Sequence, residues 1–287
     1  MEFKFYFLKE GTRNYSKTDL ITFLSSNPNI ISPESPDSYG NRIYLYHHPV
    51  LNFEAKFIMS ETAVIQNIHD LDPKYFDVNF YVEFNVLLSN YAVEILLDIM
   101  EEISKRFCFC YYNEAMSEVQ PFRRSMMIRL FDAWKKSYAA KYPEVVAKYN
   151  YLDPQAFQQV YGYLQKRKRI ELTFDNNKTV VTNYIFLHAE MSRSAYIGIK
   201  WDGESEFILP PAVEIMCLDN GKVKRYLPMA EIMSRADKMF KPIDGFGDIL
   251  ILDSKYVKKL HKMLQKDRFA PLHVQLQQIS IDRILDV

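Results

Sequence analysis

Apolar and polar residues alternate in several stretches of the first part of the chain. Residues 78–84, VNFYVEF, place an apolar residue at every second position, which is the period of a half-buried strand. Residues 2–8 predict another strand, and residues 42–47 and 53–59 predict a hairpin. The first part of the chain is therefore expected to contain a sheet.

Helical signals lie between these strands. Ser16, with Asp19 three residues later, is a helix N-cap signal. Apolar residues at helical spacing predict a helix over 90–106, which is followed by a strand over 107–112. A strand, a helix and a strand of this length form a crossover unit, so residues 1–115 predict an α+β sandwich domain with a ferredoxin-like layout.

Residues 116–287 predict a second domain, made of a helical segment, then a mostly antiparallel β region with a late helix at 254–265. A first helix begins near Pro121, and a second follows Asp153-Pro154. The inward stripe of the first helix is predicted to be Phe122, Met126, Leu130, Trp134 and Tyr138. The strands are expected over residues 169–174, 179–188, 194–200 and 213–226.

The composition argues against several functional classes of protein. Eight glycines are dispersed along the 287 residues, and neither G-x-G-x-x-G nor G-x-x-x-x-G-K-[ST] occurs, so no nucleotide cofactor is expected. Three cysteines make no disulfide framework. No apolar run approaches the roughly 20 residues that span a bilayer, so we expect a cytoplasmic protein with no membrane partner.

The formal net charge of zero conceals two opposed blocks. Residues 54–102 hold ten acidic and two basic side chains, a net charge of −8. Residues 121–170 hold eleven basic and three acidic side chains, a net charge of +8. Either these charges lie on solvated faces or pair with each other, or the basic block binds phosphates or an acidic protein.

Two sets of side chains follow from this asymmetry. The candidate binding residues are Arg123, Arg124, Lys135, Lys136, Lys166, Arg167, Lys168 and Arg169, with Trp134 and Tyr138 beside them. The candidate acidic patch on the long helix is Glu94, Asp98, Glu101 and Glu102. The patch favours a solvated face over a metal site, because a metal site also needs ligands from other elements.

Asp37, Glu54 and Lys56 resemble the signature of the PD-(D/E)xK nuclease family. The resemblance implies two carboxylates that hold Mg²⁺ at the scissile phosphate and a lysine that positions or activates water. Strand alternation places Glu54 and Lys56 on one face. His69-Asp70 resembles the dyad of HD-type phosphohydrolases, which sits in an all-helical bundle.

The leading hypothesis is a non-enzymatic cytosolic interaction protein that binds and regulates or neutralises another macromolecule, with an immunity or antitoxin role as one form. Tyrosine supports it, since 20 of the residues are tyrosines and this residue type is enriched at interfaces. The expected partner is another protein. A Mg²⁺-dependent nuclease, or a nucleic-acid binder that uses residues 121–170, remains as an alternative.

Overall fold

The computed structural model describes residues 1–11, 14–65, 72–174, 178–190, 192–219, 221, 224–265, 272 and 275–286. The chain forms two compact units, Met1–Pro143 and Glu144–Val287. Each unit combines helices with sheet strands, so the protein is of the α+β class. The dyad His69-Asp70 lies outside the described residues.

A seven-stranded sheet forms the first unit. Its strands are β1 (Glu2–Glu10), β2 (Ile30–Ile31), β3 (Arg42–His47), β4 (Glu54–Met59), β5 (Tyr75–Asn85), β6 (Cys110–Tyr112) and β7 (Gln120–Pro121). Their order is β2-β3-β4-β5-β1-β6-β7, and every neighbouring pair is antiparallel. β1 therefore lies inside the sheet, between the strands that flank the long helix in sequence.

Three helices of this unit are α1 (Lys17–Ser26), α2 (Asn90–Phe107) and α3 (Arg124–Lys141). Ser16 caps α1 and Ser89 caps α2, each by accepting a backbone hydrogen bond three residues on. Helix α3 contacts the sheet through Phe131, whose ring lies 5.4 Å from that of Phe3 and 5.6 Å from that of Phe84. The side of the sheet that carries Phe3 and Phe84 is thus covered by α3.

The sheet is wider than the expected ferredoxin-like layout, whose β-α-β-β-α-β order supplies four strands. Strands β2 and β3 extend one edge and β7 extends the other. The expected boundary after residue 115 falls within the first compact unit, because β7 pairs with β6 and α3 packs on the same sheet.

Helix α3 turns a different face inward from the one that the apolar pattern predicts. Its buried residues are Met127, Phe131 and Lys135, whereas the predicted stripe is one residue out of step. The helix begins at Arg124 because Pro121 belongs to β7. The fully buried Lys135 donates to Asn90 Oδ1 at 2.7 Å and to the Leu88 carbonyl at 3.4 Å, so its hydrogen bonds replace the lost hydration.

The described residues of the second unit form the helices α4 to α7 and the strands β8 to β18. Helix α4 begins at Pro143, the last residue of the first unit. The helices are α4 (Pro143–Val146), α5 (Pro154–Thr173), α6 (Met229–Ala236) and α7 (Val257–Leu264). The strands are β8 (Asn150–Tyr151), β9 (Thr179–Val181), β10 (Tyr184–Ala189), β11 (Ala195–Trp201), β12 (Glu206–Leu209), β13 (Ile215–Asp219), β14 (Lys224–Pro228), β15 (Phe240–Pro242), β16 (Leu250–Leu252), β17 (Leu276–Ile279) and β18 (Ile284–Leu285).

Sheet dominates this unit. One sheet has the order β14-β13-β11-β10-β17, another β15-β16-β12-β9, and β18 pairs with β8. The pairs β11–β13, β12–β9 and β18–β8 are parallel and the others are antiparallel. Apolar residues of β11, β12 and β13 share a core with α6 and α7.

One predicted strand is helix instead, and another begins later than predicted. Residues 169–173 continue α5, because Ile170 is fully buried in a core cluster and the Arg167–Glu171 ion pair of 2.7 Å supports the helix at i,i+4 spacing. Residue 107 belongs to α2, and Cys108 ends that helix in the left-handed conformation with φ of 55°. Strand β6 consequently starts only at Cys110.

The adjacent lysines of α3 provide a matched test of the buried hydrogen bonds. We expect Lys135→Ala to lower the free energy of unfolding by about 3 kcal/mol, because the oxygens that Lys135 satisfies stay buried and a cavity opens. Lys136→Ala should cost at most about 0.5 kcal/mol, since it removes only an exposed i,i+4 pair with Asp132. Urea unfolding of both variants measures the difference, and equal losses would contradict the assignment.

Candidate interaction surface

The three residues of the nuclease signature lie on or beside the β3–β4 hairpin. Glu54 pairs with His47 at one end of the hairpin, and its carboxylate lies 3.5 Å from the His47 ring. The amino group of Lys56 is 3.0 Å from the Glu83 carboxylate. Asp37 precedes the opposite end of the hairpin, where its backbone N–H donates to Asn41.

The Asp37 carboxylate belongs to its own loop. It accepts from the backbone N–H groups of Tyr39 and Asn41, both at 2.8 Å, and from the Asn41 amide. Slight desolvation opposes these bonds, yet they hold the pKa of Asp37 below its usual value. Asp37 lies at the start of β3, because it bonds to Asn41, and the next residue, Arg42, pairs with Met59 of β4.

Met59 is five positions from Glu54, a distance of about 16 Å along the strand. A Mg²⁺ ion requires its carboxylate oxygens within about 2.1 Å of itself. Asp37 and Glu54 therefore do not converge on one ion. Among the residues that the structure describes, no group of three or more His, Cys, Asp or Glu side chains could hold a metal.

The two charge blocks meet within the first unit. Arg124 of α3 makes an ion pair with Asp98 and donates to the Glu94 carbonyl at 3.0 Å, and its guanidinium is 3.7 Å from the Glu94 carboxylate. Glu101 pairs with Lys105 on α2 itself. Three of the four patch carboxylates thus have a basic neighbour, while Glu102 is exposed.

The remaining candidate binding residues fall into separate environments. Arg123 and Lys136 are exposed, and Lys136 pairs with Asp132 at 2.7 Å. The structure buries Lys135, so this residue is not part of a surface. Trp134 packs edge-on against Phe3 at 6.0 Å, and Tyr138 packs against Tyr142 at 4.8 Å between ring centroids.

The last four candidates lie on α5 in the second unit. Lys166 and Lys168 are exposed. Arg167 pairs with Glu171, and the guanidinium of Arg169 lies 4.8 Å from the centre of the Phe246 ring. The basic residues of 121–170 therefore belong to two different units, and Arg124, Lys136 and Arg167 make ion pairs.

The side of the first-unit sheet opposite Phe3 carries polar and aromatic residues, and we call it the outer face. The strand registers align one row of side chains across five adjacent strands, namely Ile43, Ile58, Tyr81, Tyr6 and Tyr112. Tyr6 lies 5.7 Å from Tyr81 and 6.4 Å from Tyr112 between ring centroids. At about 4.8 Å between strands, the row is about 19 Å wide.

A ladder of charges runs beside this aromatic row. Glu83 of β5 sits between Lys56 of β4 and Lys4 of β1, at 3.0 Å and 3.5 Å from their amino groups. The Glu83 side chain is only 12% exposed, whereas the two lysines are 44% and 39% exposed. Cross-strand pairing therefore compensates the charges on the outer face.

Loops cover parts of the outer face. Tyr6 donates its hydroxyl to Glu114 at 3.0 Å, and Asn113 donates to the Lys4 carbonyl at 2.6 Å. Asp77 accepts from the backbone N–H groups of Val64 and Ile65, at 2.9 Å and 3.0 Å. No helix among the described residues covers the row between these loops, in contrast to the opposite side.

Burial changes the ionisation of the central tyrosines. Desolvation, reinforced by the hydrogen bond to Glu114, raises the pKa of Tyr6 well above its usual value. Desolvation also raises the pKa of Tyr81, and the negative charges of Glu83 and Asp37 raise it further. Both phenols therefore stay protonated well into the alkaline range.

Exposed apolar side chains flank the row. Ile31 of the edge strand β2 pairs with Leu45 and is 62% exposed, and Tyr39 beside Asp37 is 82% exposed. Leu45 and Ile43 are half-buried. The outer face thus continues to one edge of the sheet as a partly apolar surface.

Sequence reasoning missed this surface. The signal was present as Lys4 and Tyr6 in β1 and as Tyr81 and Glu83 in β5, each pair on alternate positions. These positions look like the ordinary solvent side of a strand. Only the registers show that their side chains meet in a row.

Neither a protein-family model, nor a curated protein, nor a solved structure matches the chain. Within the described residues, every helix is too short or too polar to cross a membrane.

The raised pKa values predict the alkaline limit of stability. Below about pH 10 both folded and unfolded phenols are protonated, so the stability is fully present. Above that pH the unfolded chain loses protons that folded Tyr6 and Tyr81 retain, so the free energy of unfolding should fall as pH rises toward 12. Urea unfolding of the Tyr6→Phe/Tyr81→Phe variant should show a shallower fall than the wild type. Equal slopes of the free energy of unfolding against pH would show that Tyr6 and Tyr81 do not cause the fall.

Proposed function

We propose that the protein is a non-enzymatic interaction protein whose outer face binds and regulates or neutralises another protein. The observation that carries this proposal is the cross-strand row beside compensated charges, in which the half-buried Ile43, Tyr81 and Tyr112 alternate with the buried Ile58 and Tyr6. Tyrosine presents a large contact area with few rotatable bonds, and it is enriched in protein interfaces.

The charge ladder supports a protein partner. Removing a charge from water is costly unless the charge is paired, and Glu83 already pairs with Lys4 and Lys56. A partner that covers this part of the face would bury compensated groups. The Lys4, Lys56 and Glu83 side chains are also held by their ion pairs across strands, so they lose less conformational entropy on binding.

The rim of the outer face indicates the partner's charge. Asp37, Glu54 and Glu114 are exposed acidic residues around the row. A partner with a basic rim around an apolar centre would complement them. Nucleic acid fits this face poorly, because its phosphates would approach these carboxylates.

We also propose that the four inner strands form a ferredoxin-like core. Support comes from the spatial order β4-β5-β1-β6 and from the chain order β1, α1, β4, β5, α2, β6, with β2 and β3 inserted after α1. The outer face is then the side of this core opposite the one that α3 covers.

A double substitution on the outer face tests the proposed function. Ile31→Lys/Leu45→Lys should weaken partner binding at least about tenfold. The two new lysines would lose their hydration at an apolar contact, and they would repel the basic rim of the partner. The matched control is Leu172→Lys/Val180→Lys in the second unit, whose side chains are 82% and 41% exposed.

The partner is first captured from the native host by cross-linking and then purified. Isothermal calorimetry with the purified partner compares the wild type and both variants, with circular dichroism as the folding check. The control should lose less than about twofold. Equal weakening by both variants, or none by the outer-face variant, would place the interface elsewhere.

The nuclease alternative has its own test. Since Asp37 and Glu54 do not converge, we expect plasmid DNA incubated with Mg²⁺ to stay intact with the wild type and with Glu54→Ala alike. Gel electrophoresis measures this. Cleavage by the wild type that Glu54→Ala abolishes would establish the nuclease and refute a purely non-enzymatic role.

A further inference from the structure

Helix α7 of the second unit carries lysines along one side. Lys258, Lys259 and Lys262 lie on this helix, and Lys255 lies on the short 3-10 turn that leads into it. Their spacing of i, i+3, i+4 and i+7 puts them on the same side. All four are exposed, and we call this set the lysine face.

The opposite side of α7 is anchored in the core. Val257, Leu260 and Leu264 are buried, and the latter two are fully inaccessible. The amphipathic helix therefore has no apolar side left to insert into a bilayer. Anchoring also holds the backbone of the lysine face in place, so the four flexible side chains start from fixed positions.

Much of the charge on this face is uncompensated. Lys258, Lys259 and Lys262 make no ion pair with any residue that the structure describes. Lys255 shares the Asp253 carboxylate with Lys241, at 3.4 Å and 2.6 Å.

Neighbouring elements leave the lysine face accessible. Tyr256 is engaged by the amino groups of Lys255 and Lys259, at 4.8 Å and 5.8 Å from its ring centre. The acidic turn around Asp202 approaches α7 at His261, where Gly203 packs against the ring. The Asp202 carboxylate accepts from the Glu204 and Ser205 backbone N–H groups, at 2.8 Å and 3.0 Å.

We propose that the lysine face binds the phosphate backbone of a nucleic-acid duplex without reading its sequence. Lysine is a flexible point charge that suits phosphate contacts, and such contacts carry no base information. This function is independent of the outer face, because it uses another unit and a ligand of opposite charge.

The composition of the surface favours a nucleic acid over an acidic protein. Lysine is depleted in protein–protein interfaces, which rely on aromatic and apolar anchors. Tyr256 is the aromatic residue among these lysines, and two of them already engage its ring. The same engagement disfavours base stacking, so a duplex is the better ligand than a single strand.

The experiment measures binding of the full chain to a short labelled DNA duplex by fluorescence anisotropy over a salt series. Four neutralised phosphates predict a slope of log affinity against log salt of about −3.6, so the affinity falls about a hundredfold between about 50 and 200 mM salt. The variant Lys258→Gln/Lys259→Gln/Lys262→Gln should retain a slope of about −1.

The matched control is Lys17→Gln/Lys74→Gln/Lys105→Gln, which removes the same charge from exposed lysines of the first unit. It should leave affinity and slope within about twofold of the wild type. Circular dichroism of both variants checks folding.

Three results would overturn the proposal. One is equal loss in the control, which would indicate a net-charge effect. Another is a wild-type slope near zero. The third is tighter binding of polyglutamate or of phosphatidylserine vesicles than of the duplex at the same salt, which would assign the face to a protein or a lipid surface.

Discussion

The packing of the β1 phenylalanines against helix is the interaction on which the first unit depends. Phe3, Phe5 and Phe7 point to one side of an interior strand, and they are almost completely buried. The Phe3 ring contacts Phe5 of its own strand, Phe84 of β5 and Phe131 of α3. Because side chains alternate along a strand, burying this side leaves Lys4 and Tyr6 on the other. The core thereby determines which residues form the outer face.

Charge pairing decides which basic residues are available to a partner. Arg124 binds the acidic side of α2, Lys135 is buried, and Lys4 and Lys56 share Glu83. The lysines of α7 stand apart, because the described residues around Lys258 and Lys262 supply no carboxylate partner. The strongest basic segment of the sequence is therefore divided between two units, and part of its charge is paired. The charge density of a sequence segment does not show which carboxylates distant parts of the chain bring next to it.

The proposed surfaces differ in chemistry as well as location. The outer face combines tyrosines, aliphatic residues and compensated charges, a composition typical of protein interfaces. The lysine face offers an anchored helix on which Lys258, Lys259 and Lys262 have no ion pair with the described part of the chain, which suits a polyanion. A protein with both could hold one partner through its first unit and contact nucleic acid through its second.

Local patterns determined the elements, and tertiary contacts determined the surfaces. Ser16 as a cap, the alternation of β5 and the apolar spacing of α2 depend on residues near in sequence, so the sequence alone predicted them. The inward face of α3 and the helical state of residues 169–173 depend on burial, which distant residues supply. The same holds for the separation of Asp37 from Glu54 and for the row around Tyr81. Strand register and ion pairing decide these, because both join residues that are far apart along the chain.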